Sequence, residues 1–426
     1  VAFLTSSLFS PRRALMDRSS FGWDLLMFCG VALLFWLLQA AAIPGFVVPG
    51  GAESQALLTR LWLVAGVLGV LLSQRSTLSE AGSAYLLPVA AFGVAAALFA
   101  AVGYSQQIAL LIPVHLLWLV LTIVVQQVLQ RRRPEVRLGM LAAPDPELLP
   151  HLHAERLKPV LLSAQEPGAL QEVDALVVRS EQHSALQQRA LEHAQLMNLP
   201  VISSRLLEEE LTGRVSLNDV DETWITPAAF QTGYLPWKRF FDVFFTLLAL
   251  PVLLPLMAVV AAVVYFNSGR PILFWQERVG RGGQPFQLVK FRTMTRDSER
   301  SGPAFAKQGD QRITPVGAFL RKFRLDELPQ FWNVLRGEMS IIGPRPEQWA
   351  FTVEFEESIP MYASRHWVRP GITGWAQVTQ GYTDSVGQIT EKLRYDFYYV
   401  KNCSLALDLQ IVWKTVMTIL TGFGSR

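Results

Sequence analysis

The chain has 426 residues, of which 51% are hydrophobic and 17% charged, with a net charge of +3. Soluble domains carry about 25% charged residues, and the mean hydropathy here is +0.27, so composition argues against an ordinary soluble enzyme, a disordered tail protein or a fibrous repeat. The prolines and glycines show no G-X-Y period, Cys29 and Cys403 are too distant in sequence to suggest a disulfide framework, and so small a net charge gives no sign of nucleic acid.

Four apolar stretches fill the first third: Phe21 to Ile43, Leu57 to Leu72, Ala84 to Val102 and Ile108 to Leu129. Each approaches the ~20 residues that cross a bilayer as a helix. The first, behind Arg12, Arg13 and Arg18 and ending in Ala40-Ala41-Ala42, has the outline of a secretory signal. Its apolar run exceeds the usual ~7–15 residues, and three more follow, so a membrane span is the expected reading. Lys and Arg are absent from the loops Pro44–Ala56 and Gly103–Gln107 but flank the outer ends of the set, with Arg131-Arg132-Arg133 after the fourth span. The positive-inside rule then puts both the N-terminus and Arg131 in the cytoplasm. A four-helix transmembrane region over residues 1–133 is expected.

Residues 134–228 change character. Leu138-Gly-Met-Leu-Ala, Pro159-Val-Leu-Leu, Ala175-Leu-Val-Val and Pro200-Val-Ile-Ser read as short buried strands, with helices over Glu147–Leu157 and Ser184–Asn198. Alternating strand and helix predict a small parallel, Rossmann-like α/β domain. The turn after the first strand is Ala142-Ala-Pro-Asp-Pro, without the glycines of a dinucleotide fingerprint, so a structural or dimerising role is expected. Homodimerisation through the spans and this unit is a further expectation.

A fifth apolar run, 240–266, has basic flanks on both sides: Lys238 and Arg239 before it, Arg270, Arg278 and Arg281 after. Crossing would put one basic flank outside, against the charge bias. Pro251 and Pro255 sit in its middle, where each removes a donor and crowds the preceding turn, so a break that returns the helix to its own side is predicted. A kinked but ordinary fifth span is the alternative.

The remaining residues carry polar clusters. Phe286-Gln-Leu-Val reads as a strand leading to Lys290-Phe-Arg-Thr-Met, and Pro315 to Arg324 as a helix leading to Asp326-Glu327-Leu328-Pro329. Proline favours the first turn of a helix, so a helix over Leu328–Leu335 is predicted with Asp326 near its N-cap, where free N–H groups favour negative charge. A carboxylate so held is a competent nucleophile, and its neighbour can hold a divalent cation. Stiff Pro344-Arg345-Pro346 would aim a bidentate fork at phosphate, and Arg369-Pro-Gly has similar character. Singly, each acid or base reads equally as an ordinary cap or surface ion pair.

Lys238-Arg-Phe-Phe-Asp242, Phe274-x-Gln276-x-Arg278-x-Gly280, Lys290-Phe-Arg-Thr-Met, Leu325-Asp-Glu-Leu-Pro-Gln, Ile342-Gly-Pro-Arg-Pro, Arg369-Pro-Gly-Ile-Thr-Gly and Tyr395-Asp-x-Tyr-Tyr occur in that order. Residues 236–426 thereby resemble the bacterial sugar transferases, the monotopic phosphoglycosyl transferases. The whole chain is similar to the large members, undecaprenyl-phosphate galactose or glucose phosphotransferases. The resemblance implies a catalytic α/β domain with a re-entrant membrane helix over 240–266. It also implies transfer of a hexose 1-phosphate from a UDP-sugar to undecaprenyl phosphate with release of UMP, a first membrane step of polysaccharide assembly. Asp326 aligns with the family's nucleophile and Glu327 with its Mg²⁺ ligand; Lys290, Arg321, Arg345 and Asp396 align with polar active-site positions. Pro255 stands where the family breaks its helix at a Ser-Pro pair, but Leu254 replaces the serine and Pro251 is extra. The implied location is the cytoplasmic face of a bacterial inner membrane, with Trp275, Trp332, Trp349, Trp367 and Trp375 as interfacial anchors or core residues. Two rivals are direct transfer without an intermediate and a membrane sensor whose polar cluster is degenerate.

Overall fold

The computed structural model describes residues 135–162, 167–178, 185–217, 233–295, 310–380 and 386–421, with scattered positions between 116 and 128. The four predicted spans lie outside the described residues or only touch them. The chain divides into two compact units, Val1–Thr212 and Gly213–Arg426.

In the first unit, short β-rich apolar runs form four strands: β1 (Val136–Met140), β2 (Leu157–Leu161), β3 (Ala175–Val178) and β4 (Val201–Ser203). Helices α1 (Leu149–Ala154), α2 (Ala185–Leu196) and α3 (Ser204–Thr212) accompany them, with a 3₁₀ turn over Pro167–Glu172. The strands pair in parallel in the order β2-β1-β3-β4, with Leu138 opposite Pro159 and Ala175. Because strand side chains alternate between faces, Leu138, Met140 and Val177 join Leu152 and Leu207 on one side. Leu176 and Val178 join Leu170 and Ala194 on the other. The α/β reading of this stretch is seen, with α3 added to it.

The second unit begins at Gly213, ahead of the boundary expected near 236. Trp375 fixes the join: its Nε1 donates to Gly213 O at 2.7 Å, and a Cβ on Gly213, whose φ is +65°, would lie 2.8 Å from that indole. Helix α4 (Tyr234–Ser268) carries the long apolar run and keeps helical backbone through Pro251 and Pro255. The helix thus has no gap at the two prolines, the positions where a bend is expected. Each proline forgoes one intrahelical bond, a loss a long apolar helix absorbs. Among the described residues α4 is the one helix long and apolar enough to cross a membrane.

Both ends of α4 pack on this same unit. Near its start, Lys238 Nζ donates to Asp408 Oδ2 at 2.7 Å, and Asp242 Oδ1 accepts from Ile341 N at 3.0 Å. Near its end, Val260 and Val264 join Phe291 and Leu320 in a buried cluster. Between them Leu247, Leu248, Val252, Leu254 and Val259 are exposed.

The rest is built of small pieces. An antiparallel hairpin pairs β5 (Leu273–Val279) with β6 (Pro285–Phe291), matching the predicted strand. Helix α5 (Pro315–Lys322) is N-capped by Thr314, whose Oγ1 accepts from Gly317 N at 2.9 Å. A 3₁₀ turn (Leu325–Glu327) precedes α6 (Gln330–Arg336). Strands β7 (Ser340–Ile342) and β8 (Gly371–Thr373) form a two-stranded parallel pair. Helices α7 (Trp349–Ser358), α8 (Trp375–Thr379), α9 (Val386–Asn402) and α10 (Leu405–Thr421) complete the unit, with a 3₁₀ turn over Tyr362–Trp367. The Gly-Pro-Arg-Pro and Arg-Pro-Gly-Ile-Thr-Gly segments meet here. A Cβ on Gly371 would lie 2.1 Å from Gly343 N, and one on Gly374 2.1 Å from Gly343 O. Only glycine permits that approach.

Candidate active site

Asp326 and Glu327 sit in the 3₁₀ turn, 8% and 7% exposed. This differs from the expected N-cap placement. Pro329 is itself the residue that caps α6, and the helix has only seven residues, Gln330–Arg336. Arg324, in the left-handed region at φ 56°, turns the chain so that the acidic pair lies ahead of the helix.

Arg345 Nη2 donates to Glu327 Oε1 at 2.8 Å, and Arg324 Nη1 lies 3.7 Å from the same oxygen. Burial works against the charge on Glu327, but Arg345 and Arg324 outweigh it and hold this carboxyl below its ordinary range. Asp326 behaves in the opposite way. Burial, and then the charge on Glu327, raise its pKa to about 6, although Lys290, Arg321 and Arg345 all pull it down. The expectation that its surroundings simply favour the anion is thus corrected: desolvation and the like charge next door win. At neutral pH the pair is still mainly anionic, with Asp326 the more basic and more nucleophilic member.

Lys290 comes from β6 and lies 5.2 Å from the centroid of the Phe274 ring. Burial, then the neighbouring charge of Arg278, lowers its pKa to about 8, against the pull of Asp326. Arg321 comes from α5, and its Nε donates to Thr293 Oγ1 at 2.8 Å. The Thr of Lys290-Phe-Arg-Thr therefore orients a cation that acts on Asp326. Gly317 makes this possible, since a Cβ there would meet Thr293 O at 2.0 Å. Four cations, Lys290, Arg321, Arg324 and Arg345, thus act on two carboxylates.

Arg345 owes its position to Arg278, quoted from the sequence without a role here, and to Arg365, which sequence reasoning did not single out. Arg278 Nη1 donates to Pro346 O at 2.9 Å, and Arg365 Nη2 donates to Arg345 O at 2.9 Å. The Pro-Arg-Pro segment is thereby pinned from two sides. Glu347, the next residue, pairs with Lys392, Arg365 and Arg278. Burial opposes its charge, but these cations hold its carboxyl far below the usual range.

Asp396 is placed in this support and not beside Asp326. Its Oδ2 accepts from Arg365 Nη2 at 2.8 Å, with both side chains almost wholly buried. Burial raises its pKa, with Arg365 and Lys392 opposing. Arg369 is also placed elsewhere. Its Nε donates to Gly337 O at 2.9 Å, while Arg239 bonds Val334 O and Leu335 O, so the two arginines cap the C-terminal end of α6. The charges recorded acting on Arg369 are those of Arg281, Arg239 and Asp242. Of the predicted site residues, the structure groups Lys290, Arg321, Asp326, Glu327 and Arg345. Asn333 holds the assembly from behind, accepting from Val289 N at 3.2 Å and donating to Gln287 O at 2.7 Å. Of the five tryptophans, Trp275, Trp332 and Trp349 are exposed, Trp367 is half-buried and Trp375 is core.

The unit thus combines a buried carboxylate pair acted on by four cations with one long apolar helix. The chain belongs to the bacterial sugar transferase family, whose model matches residues 233–422. The UDP-N-acetylgalactosamine-undecaprenyl-phosphate N-acetylgalactosaminephosphotransferase of Aeromonas hydrophila is 43% identical over 279 residues, 65% of this chain and 66% of that relative. That similarity is longer than the family region, so it takes in part of the chain ahead of residue 233. The UDP-glucose:undecaprenyl-phosphate glucose-1-phosphate transferase of Caulobacter vibrioides is 42% identical over 186 residues, 43% of this chain and 70% of the relative. The exopolysaccharide production protein PSS of Rhizobium leguminosarum bv. phaseoli is 42% identical over 190 residues, 43% of this chain and 95% of the relative.

Proposed function

We propose that this protein transfers a sugar 1-phosphate from a UDP-hexose or UDP-N-acetylhexosamine to undecaprenyl phosphate, releasing UMP, at the start of a membrane-assembled polysaccharide. The supporting observation is the convergence of Lys290, Arg321 and Arg345 on the buried Asp326–Glu327 pair. Cations in excess of carboxylates suit a site that must receive a diphosphate.

In the first step Asp326 attacks the sugar-bearing phosphorus. A bond forms from its Oδ to phosphorus, the bond to the bridging oxygen breaks, and UMP leaves with the electron pair. In the second step a phosphate oxygen of the lipid attacks the same phosphorus and returns Asp326 as carboxylate. Arg345 binds phosphoryl oxygens bidentately and Lys290 adds a point charge.

A Mg²⁺ ion fits the donor set. Glu327 Oε2 is buried without a hydrogen-bond partner, and no group of three or more His, Cys, Asp or Glu is gathered among the described residues. Mg²⁺ is commonly held by one or two carboxylates together with substrate phosphates. Glu327 would hold it, and when bound it neutralises charge on the transferring phosphoryl group.

The same reading places the unit on the cytoplasmic face of the inner membrane, where UDP-sugars and the lipid phosphate meet. On this reading α4 bends at Pro251 and Pro255, dips its exposed middle into the bilayer and returns; the packing of residues 238–242 and 260–264 on one unit supports it. Purified protein given UDP-sugars one at a time, Mg²⁺ and undecaprenyl phosphate should release UMP with one of them. Absence of UMP across the panel would reject the transferase reading. Labelling that finds residues after Phe266 in the periplasm would reject the topology.

A further inference from the structure

The β5–β6 hairpin has two faces with different chemistry. Its register pairs Phe274 with Lys290 and Trp275 with Val289, and opposed residues share a face. Lys290 therefore stands on one face, with Gln276 and Arg278, and acts on Asp326. Trp275, Val289, Leu273 and Phe291 stand on the other face, towards α4.

That second face and α4 line a cavity of about 890 Å³ that is widely open to its surroundings. Met257, Ala258 and Ala261 of α4 line it, with Trp275, Pro329 and Trp332, and Arg270 is its one charged lining residue. The volume falls in the range of about 300–1,000 Å³ typical of small-molecule sites. Apart from Arg270 the lining is apolar, which suits a hydrocarbon chain better than a sugar or a nucleotide.

The cavity joins the candidate site through the 3₁₀ turn. Leu325 and Leu328, on either side of the acidic pair, pack into the cluster of Val260, Val264 and Phe291. Pro329 and Trp332, just past the pair, line the cavity itself. One short turn therefore has carboxylates on its cationic side and leucines on its α4 side. A ligand spanning it needs an anionic head and a hydrocarbon tail.

We propose that this cavity holds the first isoprenoid units of the acceptor's prenyl chain, so that its phosphate is delivered to Asp326. This rests on the transferase reading and adds a specificity element to it: the enzyme measures the chain next to the phosphate. A cavity merely filled by bulk membrane lipid is the competing outcome.

The test uses the full chain in nanodiscs. Formation of the Asp326 adduct, read by intact-protein mass with UDP-sugar and Mg²⁺ but no acceptor, reports the first step alone. The KM for undecaprenyl phosphate, against that for an acceptor of a single isoprenoid unit, too short to fill the cavity, reports the second. Ala258→Trp fills the cavity from an exposed helix position. It should form adduct at the wild-type rate, raise the KM for the long-chain acceptor about tenfold, from lost apolar burial, and erase the preference for the longer chain. Ala258→Val should give a smaller rise of the same kind, and it decides the matter if the tryptophan variant fails to form adduct. Val259→Trp, on the same helix but outside the lining, should keep the wild-type acceptor KM. Variants at Ala258 that form adduct and keep both the acceptor KM and the chain-length preference would overturn the proposal. A wild-type protein that forms no adduct and releases no UMP would instead overturn the transferase reading beneath it.

Discussion

The two units solve the problem of cohesion in opposite ways. The first stacks helices on both faces of a parallel sheet, and its interior is made of residues such as Leu138, Leu152, Leu176 and Ala194. Among the described residues the second has only two-stranded sheets, and charge runs through its interior: Lys238 with Asp408, Arg365 with Asp396, Glu347 with Lys392. The difference follows from where the second unit puts its apolar residues. Phe240, Phe244, Leu248 and Val252 of α4, and Val412, Trp413 and Val416 of α10, face outwards. A unit that commits hydrophobic surface to a lipid environment has less of it for its core. Paired buried groups then specify the geometry, and they are unforgiving, because removing one partner strands the other.

The sharpest break concerns the pair that is used rather than packed. Asp326→Asn keeps shape and removes the nucleophile, so turnover should fall by about four orders of magnitude or more. Adduct detection by intact mass should fail while the protein still inserts in membranes. Retained UMP release would reject the nucleophile's role. Next in size is Arg345→Lys, which keeps a charge but loses the fork that bonds Glu327 and, in the proposed reaction, would also bind phosphate. A loss of about 10²–10³ in kcat/KM is expected, the scale of one lost transition-state donor. A change under twofold would show that charge alone suffices.

The support network should fail through stability. Asp396→Leu leaves buried Arg365 with only its longer pairing to Glu347, at a cost of up to about 3–5 kcal/mol, read by denaturant unfolding in detergent. Adding Arg365→Met should recover part of that loss while kcat/KM stays depressed, because Arg345 O loses its donor. Leu138→Ala in the first unit should cost about 2–5 kcal/mol yet leave kcat/KM per folded molecule near wild type. Equal kinetic damage from Leu138→Ala would erase the contrast drawn between the units.

The sequence displays these regions unequally, for physical reasons. Strands β1 to β4 and helix α2 are legible because short apolar runs bounded by turn residues have few other uses; Ala185–Leu196 falls within the predicted Ser184–Asn198. Helix α3 is hidden by Glu208-Glu209-Glu210, which mask the inward Leu207 and Leu211. In the second unit Asp326, Glu327 and Arg345 stand out as acids and a proline-flanked arginine. Glu347, Arg365 and Lys392 do not, since the ion pairs they make join residues 18 to 69 positions apart, and no spacing rule encodes that. Pro329 pointed to the right helix but not to the turn ahead of it. Gly343, Gly371 and Gly374 read as flanks of the two arginine motifs, whereas their missing side chains let those motifs touch.

The smallest effect is a matter of pH. Lys290 carries its charge below about 8 and loses it as pH rises through that value, because burial and the neighbouring arginines disfavour the cation. A reaction that uses this charge should show kcat/KM constant on the neutral side and declining into the alkaline range. Arg321 and Arg345 stay charged throughout, so the decline should level off at a reduced rate instead of reaching zero. Lys290→Arg cannot titrate there. It should lose some activity through its different shape, yet its profile should stay flat where the wild type falls. An unchanged alkaline limb in that variant would assign the titration to another group. Lys290 would then be a packing partner of Phe274, closer in kind to the buried charges that hold this unit together than to those that do its chemistry.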